Sequence, residues 1–298
     1  MKIIIGSRGS KLALLQSEEV KKAIEDHDSS IEVEVKVIHT KGDKILDKPL
    51  NQIGDKGLFT KEIETQLLNG EIDLAVHSMK DMPSVLPVGL MFAGTLKPAS
   101  PYDCLIFNGN YHSIDDLPKG AIVGTGSIRR KYQLLKYRPD LKIINIRGNV
   151  LTRLKKMEEE NMDAIVLAVA GLQRLGLKEK IGQYLDDSIM IPACAQGILA
   201  IELKKDSPLF PLINQIKDDE GTRRMELERR FLQTINGSCH VPIGAHVIMR
   251  KDEIELYAIF GDEEAKNVVT HHETITKDYE NRIHQIALMM KEKVEENG

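Results

Sequence analysis

Three times in this chain a short apolar run leads through a turn into a segment whose apolar residues recur at helical spacing, and this repetition constrains the fold most. Residues 2–5 are a lysine and three isoleucines, GSRGS turns the chain, and Ala13, Val20, Ala23 and Ile24 then recur with the period of a buried helix face. Residues 121–124 lead in the same way to a predicted helix over 128–137, and residues 141–146 to one over 150–160. Strands are also predicted at 31–38, where Val33, Val35 and Val37 alternate with charged residues, at 72–77 and at 163–169, and a helix over 60–68 closed by Gly70. Strands alternating with helices build mixed or parallel sheets, whose ligands gather at the carboxyl ends of the strands.

After Gly221 the order changes. A helix over 223–235, strands at 241–249, 254–260 and 268–273, and a final helix from about residue 279 predict a separate α+β domain, with the KEKVEENG tail as a solvated helix end. Residues 40–57 form a long polar stretch with glycyl and prolyl breakers, read as a mobile cover over a site. Residues 96–101 and 191–197 interrupt regular periodicity and are read as hinges. A chain of 298 residues has room for two or three domains.

Composition removes several classes of function. With 41 Lys+Arg against 45 Asp+Glu the formal net charge is -4, so the positive field that drives nonspecific nucleic-acid binding is missing, and any bound anion must be held by local clusters. The longest apolar run, residues 164–172, is far shorter than the ~18 residues that suggest a membrane span, and the amino-terminal isoleucines are too few for a secretion signal. Cys104, Cys194 and Cys239 are odd in number and widely spaced, which argues against a disulfide framework and against a zinc site and fits a reducing cytoplasm.

Basic residues recur just past the predicted strand ends: Arg8, Lys80, Arg129 with Arg130, Arg147 with Arg153, and Arg174. Each alone is an ordinary solvated cation, whereas together they place positive charge on one rim, where helix N-termini also favour anions. GTGSIRR, residues 124–130, offers Ser127, backbone N–H groups and two arginines to a carboxylate or phosphate. It partly mimics a dinucleotide motif, but Arg129 replaces the third glycine and Asn145 stands about 20 residues on, where an acid is needed. Asp81, beside Lys80 in VHSMKDMP, reads either as an acid that stabilises a developing positive charge or as a turn aspartate. His77 is read as a hydrogen-bonded strand-end residue, and His271 with His272 as lying on an exposed strand. Cys239 lies in the loop NGSCHVPIG beside His240, a setting for a nucleophile or a covalent attachment point rather than for a core thiol.

GSRGSKLAL, TKGDKILDKPL, GDKGLFTKE, VHSMKDMP, GSIRR, IRGNVLTRL, DAIVLAVAGLQRLG and GSCHVPIG together resemble the hydroxymethylbilane synthase (porphobilinogen deaminase) family along essentially the whole chain. The resemblance implies two α/β domains similar to type II periplasmic binding proteins, at residues 1–97 with 197–216 and at 98–196. A C-terminal α+β domain with a three-stranded antiparallel sheet, residues 217–298, follows. It implies a monomeric enzyme that condenses four porphobilinogen molecules head to tail, with loss of ammonia, in tetrapyrrole (heme) biosynthesis. The primer is a dipyrromethane cofactor that such enzymes assemble themselves and hold through a thioether, here to Cys239, with Cys194 as the competing position. Asp81 is the implied catalytic residue. Arg8, Ser10, Lys80, Thr125, Ser127, Arg129, Arg130, Arg147, Asn149, Arg153 and Arg174 are implied to hold the acetate and propionate groups of cofactor and substrate, and no metal is implied. Every porphobilinogen carries two carboxylates, which accounts for so many cations. Three positions depart from the pattern: Tyr102 where an arginine is usual, Gly126 where serine is usual, and Ala195 where glycine is usual.

Two rival readings use the same residues. A cytoplasmic small-anion binding protein that closes by hinge motion explains the arginines but gives no role to the last domain and its loop cysteine. A nucleotide-dependent transferase has only the imperfect glycine motif.

Overall fold

The structure, a computed structural model, describes residues 1–40, 60–236 and 241–296. Nearly all of the loop read as a cover, and Cys239 with His240, lie outside the described residues. The first elements are β1 (Lys2–Ser7), α1 (Lys11–His27), β2 (Glu32–Val37), α2 (Lys61–Asn69), β3 (Leu74–Ser78) and β4 (Leu90–Gly94). Then come β5 (Asp103–Phe107), β6 (Ile122–Gly124), α3 (Ile128–Tyr137), β7 (Lys142–Ile144), α4 (Val150–Glu159), β8 (Ala164–Ala168), α5 (Val169–Arg174) and β9 (Gln183–Leu185). The remainder is β10 (Leu199–Lys204), α6 (Phe210–Ile216), α7 (Asp219–Ile235), β11 (Ile243–Met249), β12 (Ile254–Gly261), β13 (Val268–Ile275) and α8 (Tyr279–Glu296).

The chain divides into two compact units, Met1–Pro98 with Ile198–Arg223, and Ala99–Gly197 with Arg224–Gly298. It passes between them within residues 96–101, directly after residue 197, and again within α7. The first unit holds a five-stranded sheet in the order β2-β1-β3-β10-β4, with β1 parallel to β2 and β3, and β10 antiparallel to β3 and β4. β2 lies at an edge, so its sequence EVEVKV alternates, whereas the central β1 and β10 are almost continuously buried. Val20 and Ile24 of α1 with Ile213 of α6 cover one face, and Ile63 and Leu67 of α2 cover the other.

The second unit repeats that plan. Its five-stranded sheet runs β7-β6-β8-β5-β9, again with one antiparallel strand, β5, inserted beside the third parallel one. The same unit carries the three-stranded antiparallel sheet β11-β12-β13, with α7 and α8 packed on one face through Phe231, Ile235, Ile283, Ile286 and Met290. Two five-stranded α/β sheets and an antiparallel third sheet of three strands are observed, as the sequence reading expected.

Several element bounds differ from the sequence reading, for physical reasons. The apolar run read as a strand over 163–169 stops at Ala168 and turns into α5, because periodicity does not separate a buried strand from a buried helix. α7 begins at Asp219 rather than at residue 223 and contains Gly221. That glycine is a close-packing position: a Cβ there would lie 2.5 Å from Pro98 Cγ. Strands β4, β5, β9 and β10 and helix α6 went unread because each is short and lacks a turn-to-helix signature.

Candidate functional site

In the first unit the predicted site residues lie just beyond the ends of β1 and β3. Ser10 is the N-cap of α1 and its hydroxyl accepts the Ala13 N–H at 3.2 Å, while Arg8, half-buried, stands between β1 and that cap. Lys80 and Asp81 form a single 3-10 turn after β3, fixed from beneath by the buried Met79 and Met82 and by the Met79 N–H donating to Ile198 O at 3.0 Å. Asp81 is exposed. Four residues earlier His77 is buried and its Nε2 lies 3.0 Å from the Glu202 carboxylate of β10, the strand-end pairing expected of it. Glu64 of α2 is also buried, and loss of hydration together with the nearby Glu202 charge holds its carboxyl above the usual range.

In the second unit Ser127 and Asn149 repeat the role of Ser10. Ser127 caps α3 and accepts the Arg130 N–H at 3.4 Å, and Asn149 caps α4 and accepts the Thr152 N–H at 2.9 Å. Thr125, two residues before Ser127, is buried, its hydroxyl accepting the Ser127 N–H at 3.3 Å. These helix starts leave backbone N–H groups and the positive end of the helix dipole at the strand ends, the arrangement that receives carboxylates.

The arginines divide into two groups. Arg129 and Arg130 are buried, and each gives one guanidinium nitrogen to the carboxylate of Asp103, at 2.8 and 2.7 Å. Their other Nη groups donate to Ile191 O at 2.6 Å and Val166 O at 3.0 Å. Arg147 is half-buried, and its Nη1 is shielded from solvent with no hydrogen-bond partner among the described residues; the same holds for Arg130 Nε. Arg153 donates through Nε to Gly148 O at 2.8 Å and Arg174 through Nη2 to Gly197 O at 3.2 Å. Buried cationic N–H groups without acceptors are rare in native proteins and mark places where an anion fits. A dipyrromethane, with its acetate and propionate groups, offers acceptors to Arg147 Nη1 and Arg130 Nε, which have none among the described residues, so the residues present fit that cofactor.

β11, the strand that follows residue 239, approaches Arg129 within the same unit. A Cβ at Gly244 would lie 2.2 Å from Pro192 O and 3.1 Å from Arg129 Cδ, so only glycine lets the strand approach so closely. Cys104 and Cys194 are both buried. Burial, reinforced by the Asp103 charge, pushes the Cys104 thiol up to about 12, and burial beside Glu228 raises Cys194 further. Neither forms a thiolate readily, which argues against Cys194 as an attachment point.

Family models match almost the whole chain: the porphobilinogen deaminase dipyromethane cofactor-binding domain over residues 3–210, and the porphobilinogen deaminase C-terminal domain over residues 222–292. The chain belongs to the porphobilinogen deaminase family. A porphobilinogen deaminase of Clostridioides difficile is 52% identical over 90% of this chain and 90% of its own length. One of Clostridium novyi is 50% identical over 90% of this chain and 91% of its own. Among solved structures, the methionine-binding protein MetQ aligns over 76% of this chain and 94% of its own at 15% identity, with a TM-score of 0.47.

Each departure from the family pattern has a local setting here. Tyr102 packs edge-on against His246 of β11, ring centroids 5.5 Å apart, and His246 Nδ1 lies 2.8 Å from the Asp187 carboxylate. At Gly126 a Cβ would stand 2.9 Å from Ile146 O, too close for serine in this backbone. Ala195 adopts the left-handed backbone, φ 59°, with its N–H donating to Glu228 Oε2 at 2.5 Å. Asp103 and Glu228 were not read as important from sequence. The available signal was a lone acid at the head of the otherwise apolar strand DCLIF, and another on the inward face of α7.

Proposed function

We infer that this chain is a hydroxymethylbilane synthase, which condenses four porphobilinogen molecules head to tail and releases the linear tetrapyrrole. The family matches over residues 3–210 and 222–292 carry that reading. The small-anion receptor reading gives no account of the second match. Cys239 holds the dipyrromethane as a thioether. When bound, this group supplies the nucleophilic pyrrole α-carbon at which the chain grows.

The protein's own residues do the rest. Arg8, Ser10 and Lys80 in one unit, and Thr125, Ser127, Arg129, Arg130, Arg147, Asn149, Arg153 and Arg174 in the other, bind carboxylates of cofactor and substrate. Arg147 Nη1, which has no hydrogen-bond partner among the described residues, supports this assignment. Asp81 stabilises the positive charge that develops on the substrate as ammonia leaves; its exposure at the end of β3 leaves the carboxylate accessible for that task. The three-domain division at residues 1–97 with 197–216, 98–196 and 217–298, the cover at 40–57, a cytoplasmic location and a monomeric state belong to the same proposal.

Intact mass tests it. Purified protein should exceed its sequence mass by two substrate-derived rings after denaturation, peptide mapping should place them within residues 236–244, and Cys239→Ser should show the sequence mass alone and release no ammonia from porphobilinogen. An unmodified wild type with full activity would overturn the covalent-primer mechanism.

A further inference from the structure

Asp103, the first residue of β5, is fully buried, and three side chains converge on its carboxylate. Arg129 Nη2 reaches Oδ2 at 2.8 Å and Arg130 Nη2 reaches Oδ1 at 2.7 Å, while Gln196 Nε2 donates to Oδ1 at 3.0 Å and to Pro101 O at 2.6 Å. The two arginines are 4% and 6% exposed, so two guanidiniums share one carboxylate almost without solvent. The group therefore carries one positive charge that its own acid does not balance. Glu228, an acid of the same buried network, does not supply the balance, because Arg224 faces it at 3.3 Å while donating to Gln196 O at 2.8 Å. Arg130 Nε, meanwhile, is buried without an acceptor among the described residues.

An isolated buried charge is costly, and two like charges side by side are more so. One carboxylate between two guanidiniums removes their repulsion and fixes both planes, since each fork is held at one end by Asp103 and at the other by a backbone carbonyl. We propose that Asp103 is a positioning residue for carboxylate binding. It clamps Arg129 and Arg130 and sets the net charge of the cluster at one, so that Arg130 Nε takes a single acetate or propionate group of the cofactor or substrate. The inference rests on the hydroxymethylbilane synthase reading. A second acid would cancel the charge that draws the ligand, and no acid would leave two unheld, mutually repelling arginines.

Asp103→Asn tests this, because it keeps the shape and removes the charge. For variant chains that are folded by circular dichroism, the fraction carrying the two-ring mass excess should fall several-fold. The KM for porphobilinogen, measured on the loaded fraction, should rise at least tenfold while kcat per loaded chain changes much less. A purely structural role would instead lower Tm and leave KM and loading as in the wild type, and that result overturns the proposal. Should Asp103→Asn fail to fold, Gln196→Leu removes one strut from the same carboxylate without altering charge; a KM rise of about threefold supports the clamp and an unchanged KM overturns it. A wild type lacking the mass excess and ammonia release would sink the functional reading itself, an outcome distinct from a normal Asp103→Asn enzyme.

Discussion

At the scale of single residues, Cys104 and Cys194 are far apart in the sequence and share one condition, burial. Cys104 donates to Leu167 O from within β5, and Cys194 is packed with Leu227, Phe231 and Val247 under the third sheet. Both thiols are held in the neutral form by burial, so native protein treated with iodoacetamide at pH 8 should carry no label on either one, and both should label after denaturation. Labelling of Cys194 in the native state would reopen it as an attachment point. Ionisable residues show the same dependence on setting: burial pushes Arg229 down to about 10, a shift that nothing in its sequence neighbourhood announces.

At the scale of elements, the helix starts do two things at once. Ser10, Ser127 and Asn149 each satisfy an amide of the first turn, and the other N–H groups of a first turn have no partner within their helix and suit an anion. The segment 191–197 is the opposite case, an irregular connection held by side chains from regular elements. Ala195 sits in the left-handed region that disfavours a Cβ by about 1 kcal/mol or more, so Ala195→Gly should raise stability toward urea by about 1 kcal/mol. Gly197→Ala should do the reverse by more than about 2 kcal/mol, because φ is 87° and the new Cβ would fall 2.4 Å from Ala99 O. Chemical denaturation of both variants checks the pair, and equal midpoints would show that this backbone relaxes freely.

At the scale of the molecule, the second unit is joined internally by a buried polar chain. Glu228 of α7 accepts the Ala195 N–H through one oxygen and the Val247 N–H of β11 through the other, at 2.5 and 2.9 Å. Through Arg224 and Gln196 the chain continues to Asp103 and the paired arginines. Glu228→Gln replaces one accepting oxygen with an NH2 group that faces an N–H, so stability should drop by about 2–3 kcal/mol, read as a lower urea midpoint. A change within about 0.5 kcal/mol would mean that water substitutes for the carboxylate.

Much of this was legible in the sequence. The β1–α1, β6–α3 and β7–α4 units and the antiparallel third sheet follow from hydrophobic periodicity and turn chemistry, which act between near neighbours in the chain, and Arg8, Lys80, Arg129 and Arg147 fall just past strand ends as that reading placed them. What the sequence could not give was pairing across long separations. Nothing local says that β10 inserts antiparallel between β3 and β4, or that Asp103 meets arginines 26 and 27 residues later. Nor does it say that Glu228 closes on an amide 33 residues earlier. Sheet order and buried charge compensation are decided by which surfaces must leave water together, and that choice exists only once the chain has folded back on itself.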